Sequence, residues 1–430
     1  MARKQIDDCF LHDKDRLTHK EALNILKTNL SPLYTTDTIN INEADNRVLA
    51  EDIKAPRPIP AHRNAAVDGY AFAHNEYSKD TGTTFPVSER VIAGAPLIEK
   101  TQENSATRIF TGAVMPADLD TVVMQEDIIL NEQSEGETIP EKEIKVTIPP
   151  GLKQGANCRQ AGEDTAENSI IVEKQTKLTS RHIAAIASAG IDELKIHQKP
   201  KVAILSTGNE ILSPGDEFHL GKVYDSNRPM LKSLIKSQQA DLTDLGIIKD
   251  NPNDIQNTLM EAAKTHDVII TSGGASKGEE DHIITSLQKL GKQHMWQLAI
   301  KPGRPMSFGQ INDTLFIGLP GNPVAAFICF FLYGIPILNR LSGQEWQTPH
   351  KFQVIANFEI PNKKPDRREF LRGTLKTENG ITSVDKFNQD GSGIIRSLTT
   401  ADGLIEIDEA TTSVNKGDLV TFIPFAQNAI

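Results

Sequence analysis

Apolar residues Ala22, Leu23, Leu26 and Leu30 follow the pattern Thr18-His-Lys-Glu21 at helical spacing, which predicts a capped first helix ending before Pro32. The proline-dense stretch Ile53–Pro60 predicts an extended linker. Short apolar runs then recur at Phe85–Val87, Ala106–Phe110, Thr121–Met124 and Ile144–Ile148, separated by turn residues, as in a small β domain. The polar insert Asn131–Lys142 reads as a mobile hairpin tip. After Pro149-Pro150-Gly151 the pattern changes, with Ser180 placed to cap an alanine-rich helix that ends at Gly190.

From residue 201 strand and helix signals alternate. The strands are Lys201–Leu205, Leu242–Ile248, Val268–Thr271 and Leu315–Ile317; the helices are Pro229–Gln239, Ile255–Lys264, Asp281–Leu290 and Pro323–Leu341. Such alternation predicts parallel βαβ units and a doubly wound sheet. Beyond residue 351 helix signals stop, and Lys351–Glu359, Arg372–Leu375, Gly403–Ile407 and Asp418–Phe422 read as strands of a second small β domain. The expected class is therefore multidomain α/β plus β.

Composition narrows the function. A chain of 430 residues has room for two to four domains of roughly 100–200 residues each. The net charge of −11 disfavours general binding to nucleic acids or anionic membranes. Three cysteines, Cys9, Cys158 and Cys329, are too scattered for a disulfide framework or a zinc pair, which suggests a reduced compartment. The charged N-terminus lacks a signal-peptide apolar region, and the apolar stretch near Val324–Leu338 is bounded by prolines, so it reads as a buried helix. A cytoplasmic protein is expected.

Three loops leave strands at the carboxyl edge of the predicted sheet, where open parallel sheets bind ligands. They are Ser206-Thr207-Gly208-Asn209-Glu210, Ser272–Asp281 (with Gly273, Gly274, Ser276 and Gly278) and Gly318–Pro323 (with Pro320, Gly321 and Asn322). Free backbone N–H groups in such loops suit phosphate-type oxyanions. One loop would mean little, because glycines often only close turns; three on one sheet edge point to an anion. The carboxylates Glu210, Asp250 and Asp281 beside them would repel a phosphate unless a hard cation intervened, which implies Mg2+. Each is also an ordinary helix cap or solvated charge taken alone. Lys301 and Arg304 supply two cations on a proline-stiffened loop. Gly274-Ala-Ser276-Lys-Gly278 matches a hydrolase nucleophile elbow, but no histidine or acid follows in triad spacing and no oxyanion segment appears.

Taken in order, these pieces carry a resemblance. Asp68-Gly-Tyr-Ala71, Ile109-Phe-Thr-Gly112, Gly155–Arg159 with Gly162-Glu-Asp164, Ser206–Glu210, Tyr224-Asp-Ser-Asn-Arg228, Ser272–Asp281, Lys301–Pro305, Gly318–Pro323, Arg368–Gly373, Gly391–Gly393 and Ala401–Gly403 make the chain similar to the molybdopterin molybdenumtransferase family, the MoeA and gephyrin E-domain group. The resemblance implies four domains: an elongated one from 1–60 with 151–198, an inserted β domain 61–150, a molybdopterin-binding α/β domain 199–343, and a β-barrel-like domain 344–430. It implies insertion of molybdate into adenylylated molybdopterin with Mg2+ and release of AMP, carried out by a homodimer whose site lies between subunits. Contact with the molybdopterin adenylyltransferase and other cofactor-synthesis proteins is a further implication.

Position by position, the family's catalytic residues fall on Asp68, Thr111, Asp164, Glu210, Asp250, Asp281 and Lys301, with Glu210 and Asp281 near the metal. Substrate contacts are expected from Ser206, Thr207, Gly208, Gly273, Gly274, Ser276, Gly278, Arg304, Pro320, Gly321, Asn322, Pro323, Arg368 and Ser392. Departures are Asn209 where the family often has Asp, Gln297 where some relatives are basic, Arg304 for Lys, and Ala275 and Lys277 in the third-strand loop. Two other readings of the chain are a different nucleotide-linked activity on the same α/β domain, and a gephyrin-like scaffold.

Overall fold

The computed structural model describes residues 16–33, 35–130, 144–273, 282–303 and 305–426. The expected insert tip at 131–142, Cys9, the loop residues Gly274, Ala275, Ser276, Lys277, Gly278 and Asp281, and Arg304 lie outside them.

The helix His19–Asn29 forms as its capping box predicts: the Glu21 N–H donates to Thr18 Oγ1, and the Thr18 N–H donates back to the Glu21 carboxylate. The strand that follows, Thr36–Asn40, pairs antiparallel with Glu193–His197, and Ile53–Lys54 pairs with Ile170–Val172. Segments far apart in sequence thus share small two-stranded ladders. Between them Gly69–Phe72, Thr83–Val91, Ala106–Ile109, Thr121–Met124, Ile129–Leu130 and Lys145–Ile148 form one six-stranded sheet. The helix Ser180–Ser188 starts one residue earlier than expected, because Thr179 is the cap and is bonded reciprocally with His182.

The α/β unit holds a six-stranded sheet in the order Asp241–Ile248, Lys201–Thr207, Val268–Ser272, Thr314–Leu319, Pro305–Ile311, Lys292–Gln297. The first four strands are parallel, as the alternating pattern predicts. The last two are antiparallel additions at one edge that periodicity did not signal. Both faces are covered, so the three inner parallel strands are buried almost throughout, while the edge strand Asp241–Ile248 is partly exposed. Val202, Ile204, Val268 and Ile270 pack toward Leu231, Ile235 and the Val324–Leu341 region, while Ala203, Leu205 and Ile269 pack toward Ile255, Leu259, Ile283 and Leu287.

The apolar segment Pro323–Leu341 is helical throughout and mostly buried, as a core helix is. A π-helical stretch at Phe330–Gly334 interrupts it. The last domain is a closed five-stranded barrel, running Arg368–Glu378, Ile381–Lys386, Phe352–Ala356, Leu419–Pro424, Gly403–Ile407 and back to Arg368–Glu378. Closure leaves little free edge. The pair Ile300–Lys301 adds to it in parallel at Arg368–Glu369 and so ties it to the α/β unit.

His19 sits where three elements meet. Its Nδ1 lies 2.6 Å from the Tyr333 hydroxyl in the π-helical stretch, and its ring packs edge-on against Phe370 of the barrel. Burial, helped by the Arg368 charge, lowers its pKa from 6.5 to about 4. Because the native pKa lies below the unfolded one, the unfolded chain takes up a proton that the native state refuses as pH falls below 6.5. Stability should therefore drop between pH 6.5 and 4, by roughly 3 kcal/mol at the lower end from this group. The variant His19→Gln should be less stable than wild type at pH 7, with the gap narrowing toward pH 4.5 in urea unfolding. Parallel stability curves for the two proteins would sink this assignment.

Candidate active site

The strand Lys201–Thr207 carries six consecutive buried residues and then turns at Gly208, whose φ is +148°. A Cβ there would lie 2.6 Å from Glu210 Oε2 and 2.8 Å from Oε1, so the Glu210 carboxylate is folded back over the glycine backbone. No described cation pairs with it. Asn209 joins this loop to the next strand's end: its N–H donates to Asp250 Oδ2 at 3.4 Å, and the Asp250 N–H donates to Asn209 Oδ1 at 3.3 Å. A residue that departs from the family pattern thus holds one of the expected site carboxylates.

The third and fourth strands end against one another. The Gly273 N–H donates to Leu319 O at 3.2 Å. A Cβ on Gly273 would sit 3.4 Å from Thr207 O, and one on Gly321 would sit 3.8 Å from the Gly273 Cα. All three loops therefore meet, with Ser206, Thr207 and Pro320 buried and Gly321 and Asn322 exposed. Asn227 crosses beneath them, donating from Nδ2 to Ser272 Oγ and to Gly321 O, both at 2.7 Å. Its helix, Asn227–Lys236, is anchored at its start by Arg228, which bonds Asp225 and Asp244. Burial pushes the Asp244 carboxyl up, but hydrogen bonds from Lys232 and Arg228 outweigh it and hold the pKa at about 2.

Beside the fourth-strand loop, the Val324 N–H donates to Ser392 O at 3.1 Å, so Ser392 arrives from the barrel. Pro323, at the head of the same helix, is half-buried. Arg372 fixes that barrel segment: its guanidinium is 2% exposed as a residue and donates to Gln389 O, Gly391 O and Ser397 Oγ. Arg368, four residues earlier on the same face of the strand, is instead held by Glu406 and Glu409. Lys301 Nζ lies 3.4 Å from Glu369 Oε2, opposite which it sits in register.

Asp68 and Thr111 are bonded directly, Asp68 Oδ1 accepting from both the Thr111 N–H and Oγ1 at 2.7 Å. These two bonds hold the Asp68 carboxyl below the usual range. Asp164 is exposed and lies beside Ile59, whose carbonyl accepts its N–H at 3.0 Å. No hydrogen bond or ion pair among the described residues links Asp68, Thr111 or Asp164 to the α/β loops. The expected residues thus form two groups within one chain. Asn227 and Arg372 were missed although both lie inside quoted motifs, because nothing in their type or spacing announces a bond to a distant carbonyl.

Comparison with known proteins gives first the class. Residues 203–340 match the model of a probable molybdopterin binding domain, flanked by matches to the MoeA N-terminal region (domain I and II) at 17–190 and the MoeA C-terminal region (domain IV) at 355–425. The chain belongs to the MoeA family of molybdopterin molybdenumtransferases, enzymes of molybdenum cofactor biosynthesis. It is 35% identical to the molybdopterin molybdenumtransferase of Haemophilus influenzae, over 91% of this chain and 94% of that one. A crystal structure of the molybdopterin biosynthesis moeA protein from Pyrococcus horikoshii superposes with a TM-score of 0.79 at 27% identity, covering 96% of this chain and 100% of that one. Gephyrin from Dictyostelium discoideum is 26% identical over 90% of this chain but only 59% of its own length.

Substituting Gly208 tests the fold-back of Glu210. In Gly208→Ala the new methyl and the unfavourable φ should displace the carboxylate at a cost of about 1–2 kcal/mol in stability. Turnover should fall by at least ten-fold, well beyond what the small change in folded fraction explains. Unchanged turnover with a normal melting curve would show that Glu210 does not need this position.

Proposed function

We propose that this enzyme inserts molybdate into adenylylated molybdopterin with the help of Mg2+ and releases AMP. The observation that carries the reading is the meeting of three glycine loops at one sheet edge with the Glu210 carboxylate, which pairs with no described cation, folded over Gly208. Main-chain donors at Gly321 and Asn322, with the Ser206 and Thr207 hydroxyls, suit the pyrophosphate of the nucleotide. The loop's oxyanion cations would be Lys301 and Arg304, and Asp68 and Asp250 would shape the reacting end. Among the described residues no cluster of three metal-binding side chains occurs. Mg2+ takes one or two carboxylates together with water and substrate phosphates. Glu210, with Asp281, would hold it, and bound there it would supply Lewis-acid polarisation of the pyrophosphate.

The chain's own residues set the electrostatics. Asn209 keeps Asp250 fixed through neutral bonds, so the substrate meets one carboxylate fewer than an aspartate at 209 would present. The separate Asp68–Thr111 group reaches the reaction in this reading from the second subunit of a homodimer, which supplies what one chain keeps apart. The compartment is cytoplasmic, and the molybdopterin adenylyltransferase is the partner expected to deliver substrate. The retained acidic and glycine loops favour catalysis over a scaffold role.

Purified enzyme given adenylylated molybdopterin should release AMP only when molybdate and Mg2+ are both present. Glu210→Gln should reduce that release by about 10²-fold or more while leaving the melting temperature within a few degrees. AMP release without molybdate would point to a nucleotide hydrolase instead, and tight binding without turnover would restore the scaffold reading.

A further inference from the structure

Asn227 is 7% exposed, yet it contacts the exposed loop at the sheet edge. Its amide spends both donors on other parts of the chain: Ser272 Oγ at the end of the third strand and Gly321 O after the fourth. The second bond has a directional consequence. Among the described residues the only cis peptides are those before Pro60 and Pro302, so the Gly321–Asn322 peptide is trans and its C=O and N–H point in opposite directions. With the Gly321 oxygen drawn inward to buried Asn227, the Asn322 N–H must face outward, toward the mouth where the loops meet.

That N–H has little competition. Pro320 and Pro323 have none to offer, and the Val324 N–H is taken by Ser392 O. Neither the Gly321 nor the Asn322 N–H donates to a described residue. Asn227 Oδ1 is buried and makes no hydrogen bond, so the side chain is held by its donors alone, and they decide which way the loop peptide faces. The helix bearing Asn227 is itself pinned by the Arg228 pairs with Asp225 and Asp244, so the tether has a fixed base.

We propose that Asn227 is a positioning residue that turns the Gly321–Asn322 peptide so that its N–H receives a tetrahedral oxyanion of the substrates. The inference rests on the function proposed above and deepens it. Phosphate and molybdate share the required chemistry, and separate titrations distinguish them. An unconstrained peptide at this glycine would be free to present its carbonyl instead, and a carbonyl oxygen repels an oxyanion. Asn227 therefore acts by excluding that flip rather than by touching the ligand.

The test uses the full-length enzyme titrated separately with AMP and with molybdate, by calorimetry and by following the Asn322 amide in 1H–15N spectra. Asn227→Asp keeps the size of the side chain but replaces the donor facing Gly321 O with a carboxylate oxygen. It should weaken the anion whose oxygens sit at Asn322 by about ten-fold or more. The Asn322 amide should shift on binding in wild type and stay still in the variant. Asn227→Ala, which adds no charge, gives the same reading if the aspartate variant does not fold. Undiminished affinity in a folded variant, or a wild-type Asn322 amide that ignores both anions, overturns the role of Asn227 while leaving the proposed function standing. Failure of wild type to bind either anion strikes at the proposed function itself.

Discussion

A parallel sheet ends several strands on one edge, and the last peptide groups there have no ladder partner. Every feature of the site answers that constraint. Buried backbone groups need partners, and those left at the surface can serve a ligand only if something fixes their direction. Here the Gly273 N–H is satisfied by Leu319 O, the Gly321 carbonyl by Asn227, and the loop after the first strand by its exchange with Asp250. Glycine is needed at Gly208 and Gly273 because both adopt positive φ, and at Gly208 the Glu210 carboxylate also approaches closely. The main-chain donors left over, at Gly321 and Asn322, lie on exposed residues.

The α/β unit was legible because burial on both faces writes a continuous apolar run. Lys201–Leu205 and Val268–Thr271 each lie within a residue or two of the observed strands, and the helix expected at Ile255–Lys264 runs from Pro252 to Ala263 behind its cap Asn251. Lys292–Gln297 and Pro305–Ile311 escaped notice for the converse reason. They sit at the sheet's edge, mix polar with apolar residues, and include Pro305 and Gly309, which usually mark turns. Gly309 is tolerated in its strand because a Cβ would crowd Lys292 O and the Leu287 side chain. The π-helical interruption was likewise silent in the pattern, since every residue from Phe330 to Gly334 is apolar or aromatic and buried whichever way the helix winds.

The site divides along the same line. Glycine-rich loops after strands are a local signal and were read from the chain. Arg368 and Arg372 lie four residues apart on one face of a strand, and type and spacing could not rank them. Their partners do: Arg368 meets the carboxylates of Glu406 and Glu409, whereas Arg372 meets main-chain carbonyls near Ser392. Such a distinction exists only once the barrel has closed.

Closure of the barrel also explains why that domain belongs to the site. Arg372 is buried without a carboxylate bonded to it, and burial lowers its pKa against the modest pull of Asp390. A buried guanidinium whose hydrogen-bond partners are carbonyls and a hydroxyl is costly unless each bond is held, because the charge keeps most of its desolvation penalty. Those bonds clamp the segment from Gln389 to Ser397, and that segment supplies the Ser392 carbonyl that caps the Val324 N–H. Without the clamp, the Val324 N–H would join those of Gly321 and Asn322 as a third free donor in the fourth-strand loop. The barrel thus withdraws one main-chain donor from the loop, and Asn227 fixes the direction in which the Asn322 N–H points.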